Sequence, residues 1–140
     1  MRRIMAALLA LATLFLATGR GGATTERDAG WASAYGPGVM EGVVAYRFEH
    51  GLWYVAPPGD WYTVAGYVAT NDCRQVGQRV TLIDPAGKGW PVLVADCGGA
   101  EPEGGAAWMT ANNIVAELDW RLWERLTAAH GRPLAVELWR

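Results

Sequence analysis

A chain of 140 residues with a formal charge of −2 is long enough to bury a core of its own, and its slight acidity argues against nucleic acid or anionic lipid as partners. Two cysteines without Cys-x-x-Cys spacing and two histidines far apart, His50 and His130, make a metal site unexpected, and no motif asks for another cofactor.

The first segment is a targeting signal by its layout. Arg2 and Arg3 precede an apolar run, Ile4 to Ala17, and small residues follow, so residues 1–23 read as a secretory signal peptide. At 14 residues the run falls short of the roughly 20 needed to span a bilayer, so no stable membrane anchor is expected. Cleavage fits after Gly19 or after Ala23. Loss of residues 1–23 removes Arg2, Arg3 and Arg20 but no acid, which leaves a net charge of −5. Residues 24–140 then form one domain, expected to be a monomer that is secreted or held in the cell envelope. In that oxidising setting an even pair, Cys73 and Cys97, is more often a disulfide than two thiols.

In chain order, Gly30 to Ala34 alternates bulky and small residues and stops at Gly36-Pro37-Gly38, as a short strand before a turn does. Val43 to Tyr46 reads as another short strand. From Arg47 to Thr63, Trp53, Tyr54, Trp61 and Tyr62 surround Pro57-Pro58-Gly59-Asp60, a long hairpin or loop; its rings either pack a minor core or form an exposed platform for sugars. Val64 to Thr70 is a strand ended by Asn71-Asp72-Cys73-Arg74. Gln78 to Ile83, the turn Asp84 to Gly89 and a strand from Trp90 make a β-hairpin. That second strand, Val92-Leu93-Val94-Ala95-Asp96-Cys97-Gly98-Gly99, delivers a carboxylate to its rim, where Asp96 either serves a site or caps the turn. Glu101 to Ala107 reads as a solvated connector. Ile114 to Leu118 is a strand, and Asp119 caps a helix from Trp120 to His130 stopped by Gly131, with Leu122, Trp123, Leu126 and Ala129 on its inner face. His130 suits the negative end of the helix dipole. After Pro133, Leu134, Val136 and Leu138 alternate as a closing strand.

The order of three motifs resembles the double-psi β-barrel family of rare lipoprotein A, the barwin proteins and the expansins. Ala32-Ser33-Ala34-Tyr35-Gly36 is similar to that family's Ala-Ser-Trp-Tyr-Gly, Val94-Ala95-Asp96-Cys97-Gly98 to its Asp-Arg-Gly-Pro or Asp-x-Cys strand end, and Glu117-Leu118-Asp119 to its Ile-Asp-Leu-Ser. Val76 to Thr81 is similar to the family's Pro-x-Gly-Thr-x-Val-x-Val, and the resemblance runs from about Gly30 to Trp139. It implies a mainly β, six-stranded double-psi barrel with one or two short helices, and a bridge from Cys73 to Cys97 as in the barwin-like branch. It also implies a polysaccharide groove lined by Ser33, Tyr35, Asp96 and Asp119, the two acids being the catalytic candidates. Asn71, with Asp72 beside it, stands where rare lipoprotein A has a histidine, which removes a proton-exchanging partner. Asp96 would act as an acid only if burial kept it protonated. The expected partner is therefore cell-wall polysaccharide, peptidoglycan or another glycan, bound or remodelled at Ser33, Tyr35, Asn71, Asp72, Trp53 and Trp61. A lytic transglycosylase and a non-enzymatic interaction module are the alternatives.

Overall fold

The computed structural model describes residues 26–98 and 105–140; the expected signal peptide and most of the expected connector lie outside them. Six strands close into a barrel in the order β1-β5-β2-β4-β3-β6. They are β1 (Arg27–Ala34), β2 (Gly66–Thr70), β3 (Arg79–Ile83), β4 (Gly89–Cys97), β5 (Ile114–Leu118) and β6 (Leu134–Trp139). Two of the pairings, β1 with β5 and β2 with β4, are parallel and the rest antiparallel, an arrangement compatible with double-psi order. Alternation fills the barrel: Val80 and Leu82, Val92 and Val94, Ala116 and Leu118, and Leu134, Val136 and Leu138 point inward and are buried.

Among the described residues three helices accompany the barrel, α1 (Val39–His50), α2 (Gly105–Ala111) and α3 (Trp120–His130), where one or two were expected. The strand expected at Val43 to Tyr46 lies within α1, as do Arg47 to His50, which were assigned to the loop. Gly38 and Gly51, both with left-handed backbone, bracket this helix, and Met40 and Val44, one turn apart, are its buried residues. They pack on Ala69 and Ala95, outside the barrel. So narrow a buried stripe leaves apolar residues on every side of α1, and no helical period announces it. The last residues of the expected connector belong to α2.

The loop after α1 is stitched down where the Val55 amide donates to the Val76 carbonyl, 2.9 Å. Gly77, at φ +103°, admits the Val55 carbonyl so closely that any Cβ would collide with it. One 3₁₀ turn, Trp61–Thr63, leads into β2, and a second, Cys73–Gln75, leaves it.

Helix α3 follows its sequence closely. Leu122, Trp123 and Leu126 join the barrel core, whereas Ala129 is exposed and not on the inner face as expected. Asp119 caps the helix through Leu122 N–H, 3.0 Å, and its other oxygen accepts from Tyr67 N–H, 2.6 Å, so one buried carboxylate ties α3 to β2. Gly66 is required there, because a Cβ would meet Asp119 Oδ2. Burial together with the charges of Asp119 and Glu41 raises the Tyr67 phenol above its ordinary value.

Asp84 performs a similar task at the β3–β4 turn, accepting from the amides of Ala86 and Lys88 and from Trp90 Nε1, with His130 Nε2 3.3 Å away. The end of α3 is thus held to the hairpin, which adds a specific partner to the dipole role expected of His130. Burial alone pushes the Asp84 carboxyl up, but the hydrogen bonds from Trp90, Lys88, Ala86 and His130 outweigh it and hold the group below the usual carboxylate range.

Replacing Asp119 by Ala removes a cap and strands the Tyr67 amide, so a loss of about 2–3 kcal/mol in urea unfolding is expected; a change near zero would show that the carboxylate is not the tie between α3 and β2. For Asp84 the folded-state value is depressed, so its stabilisation is complete above the ordinary Asp value and is lost as pH falls through the depressed one. Thermal melts below about pH 4 should therefore show a weaker dependence on pH in Asp84→Asn than in the wild type; an unchanged slope would assign acid sensitivity to other groups.

Candidate functional site

The carboxylate Asp96 owes its outward position to a bulge. Counting alternately from the inward Val94 along β4 would turn Asp96 into the barrel. The register between β2 and β4 shifts at this point, however, from Val68 opposite Val94 to Ala69 opposite Asp96. The extra residue, Ala95, lies under α1, and the shift sends Asp96 out and Cys97 in. On the other side of Ala69 the partner is Glu117 of β5, which pairs in turn with Ser33 of β1. Ser33, Glu117, Ala69 and Asp96 therefore form one outward row across four strands.

The row is polar at both ends. Ser33 Oγ donates to Glu117 Oε1 at 3.1 Å. At the other end Asp96 accepts from Tyr35 Oη at 3.3 Å and from Arg47 Nη2 at 2.9 Å. Arg47 also donates through Nη1 to the Leu52 carbonyl, 2.7 Å, so α1, the loop behind it and β4 meet at one guanidinium. Both members of the Arg47–Asp96 pair are only 19% exposed in their side chains, where screening is weak. Asp96 is thus held from two sides by side-chain donors, Arg47 of α1 and Tyr35 just past β1.

Beside the pair lies a groove of about 510 Å³ lined by Val39, Val43, Tyr46, Leu52, Arg47 and Asp96. Its wall is the face of α1 that the barrel does not bury, continued by Leu52 of the loop behind it: Val39, Tyr46 and Leu52 are exposed. The result is amphiphilic, with the Arg47–Asp96 pair on one side and the Tyr46 ring and apolar carbon on the other.

Of the residues expected to share a site, Ser33, Tyr35 and Asp96 belong to this arrangement. Asp119 does not, because it is buried and its oxygens are taken by two backbone amides. Glu117, two residues earlier, is the acid in the row beside Asp96, and the signal was available: with Ala116 and Leu118 in the core, alternation turns Glu117 outward. Asn71 is exposed just past β2, and Asp72 caps the following 3₁₀ turn and forms a two-point pair with the Arg74 side chain, whose hydrogen bond lowers the Asp72 carboxyl. Trp53 and Trp61 are half-buried, each against Phe48, with centroids at 4.8 and 4.5 Å and rings tilted by 59° and 36° to it. Neither ring is exposed in the way that a sugar platform needs. Arg47 went unrecognised because its helix did.

The disulfide Cys73–Cys97 is present, with Cα atoms 5.0 Å apart, and it anchors the end of β4 next to Asp96. By loop-closure entropy it contributes about 3 kcal/mol. Among the described residues no cluster of His, Cys, Asp and Glu suited to a metal ion occurs, and no helix is long and apolar enough to cross a membrane.

No protein-family model, curated protein or solved structure matches the chain. The fold and the row of side chains are what function must be argued from.

A double-mutant cycle over Arg47→Ala and Asp96→Ala, read by urea unfolding, is expected to give a coupling of about 1–3 kcal/mol, because either single change leaves a poorly solvated charge alone. Additive effects would show that the two groups do not hold α1 to the barrel.

Proposed function

We propose that this protein is an exported, cell-wall glycan-binding protein of the expansin-like or rare-lipoprotein-A-like type, and that it holds a sugar chain in the groove between α1 and the end of β4. The observation that carries the reading is the amphiphilic groove itself. Sugar rings present hydroxyls at their rims and C–H groups on their faces; Arg47 and Asp96 supply donors and acceptors for the first, and Tyr46, Val39 and Leu52 a surface for the second. Ser33 and Glu117 extend the polar line along the row. Export is supported by the signal-like segment at residues 1–23 and by the disulfide.

Binding is preferred to cleavage because both oxygens of Asp96 are already engaged, one by Arg47 and one by Tyr35. The second reading, a glycan-cleaving enzyme, draws on the two carboxylates that flank Ala69. Two strand spacings separate their backbones, about 9.6 Å, within reach of the separation seen in inverting glycosidases.

Incubating the exported protein with insoluble peptidoglycan, cellulose and chitin, then analysing pellet and supernatant by mass spectrometry, separates these readings. Retention on one polymer without released fragments is expected, and Asp96→Asn or Arg47→Gln should weaken it roughly tenfold, the scale of one charge-assisted contact. Released fragments that disappear in Glu117→Gln would move the assignment to the enzyme, and retention on none of the polymers would sink the glycan reading.

A further inference from the structure

A second open surface lies across the barrel from α1, on β6 and the strand beside it, β1. Alternation turns Arg27, Ala29 and Trp31 of β1 outward together with Ala135, Glu137 and Trp139 of β6, and the register sets Ala29 beside Glu137 and Trp31 beside Ala135. Trp31 and Trp139 are 41% and 39% exposed, and a depression of about 730 Å³ lies between them over the small side chains. Their backbone positions are offset by four residues along the sheet, about 13 Å, the length of a short oligosaccharide.

The indoles are not loose. Trp139 Nε1 donates to Glu137 Oε2 at 2.8 Å, which fixes the ring and brings a carboxylate to its side. The ionisable groups lining the depression are both acidic, Glu137 and Asp84, and Asp84 is already committed to its own turn. The cation nearest Glu137 is Arg27 at 3.7 Å, a side chain more than half exposed, so this contact is screened and exchangeable.

We propose that this face binds glycan chains bearing free amino groups, as a site separate from the α1 groove. Indole faces take up the C–H faces of sugar rings, and an indole beside a carboxylate is the chemistry that recognises an ammonium group. Charge favours the same ligand, since the acids of the depression and the net −5 of the exported chain attract a cationic polymer and repel an anionic one. An added peptide strand is not accommodated, because β1 pairs with β5 and β6, and β6 pairs with β1 and β3, so closure leaves no free edge here.

Calorimetric titration of the exported protein with a fully deacetylated glucosamine oligosaccharide and with its N-acetylated counterpart tests the proposal. The amino form is expected to bind roughly tenfold more tightly, the scale of one cation–π or carboxylate contact, and to weaken as salt is added. Trp31→Ala and Trp139→Ala should each reduce its affinity roughly tenfold with an unchanged circular dichroism spectrum, and Glu137→Gln should erase the preference between the two forms. Equal affinity for both forms overturns the proposal, as does amino-form binding that survives both tryptophan substitutions, which would reflect bulk charge only. A concentration-dependent dimer abolished by Trp139→Ala would assign the face to a second copy instead. Asp96→Asn should leave amino-form binding intact; its loss there would place the ligand in the α1 groove and overturn the separate site.

Discussion

Lateral pairing of β1 on both sides is the constraint on which the rest of the molecule depends. Its six-residue antiparallel ladder with β6 shuts the barrel, and its parallel ladder with β5 sets Ser33 opposite Glu117. A slip of one residue in either ladder would send Trp31 and Ser33 inward and Gly30 and Ala32 outward. Gly30 resists such a change directly, because it lies against the Asn113 carbonyl with no room for a Cβ. Closure therefore decides which side chains meet solvent and which fill the core. The acids of the row, Asp96 on β4 and Glu117 on β5, are then held on either side of β2.

A second layer of organisation comes from buried carboxylates that bond to backbone. Asp119 joins α3 to β2, and Asp84 joins the β3–β4 turn to the end of α3. Each is a polar group whose burial is tolerable only because its oxygens are satisfied. Asp96 differs in its partners, which are the side chains Arg47 and Tyr35 at the margin of a groove. The contrast separates acids bonded to backbone from one bonded to side chains at a groove.

Much of this was legible in the sequence where the signals are local. The hairpin, the closing strand and α3 announced themselves through turn residues, strict alternation and the Asp119 and Gly131 boundaries. Helix α1 did not, because Met40 and Val44 are its only buried residues and apolar side chains surround them on every face. With α1 hidden, Arg47 could not be matched to Asp96. The outward turn of Asp96 was equally out of reach, since it rests on a bulge opposite β2 that no local pattern encodes. Alternation along β5, by contrast, already separates the strand acid Glu117 from the helix cap Asp119.

The bond between Cys73 and Cys97 also changes what a cut in the chain does. All of β3, the Asp84–Gly89 turn and nearly all of β4 lie between the two half-cystines. An endoprotease that opened this turn, with Pro85, Ala86, Gly87 and Lys88 exposed at its tip, would leave two fragments still joined through sulfur and still paired in the sheet. Such a nicked molecule runs as one species until a reductant is added. The strand that presents Asp96 is thereby kept on the barrel after its own hairpin has been severed.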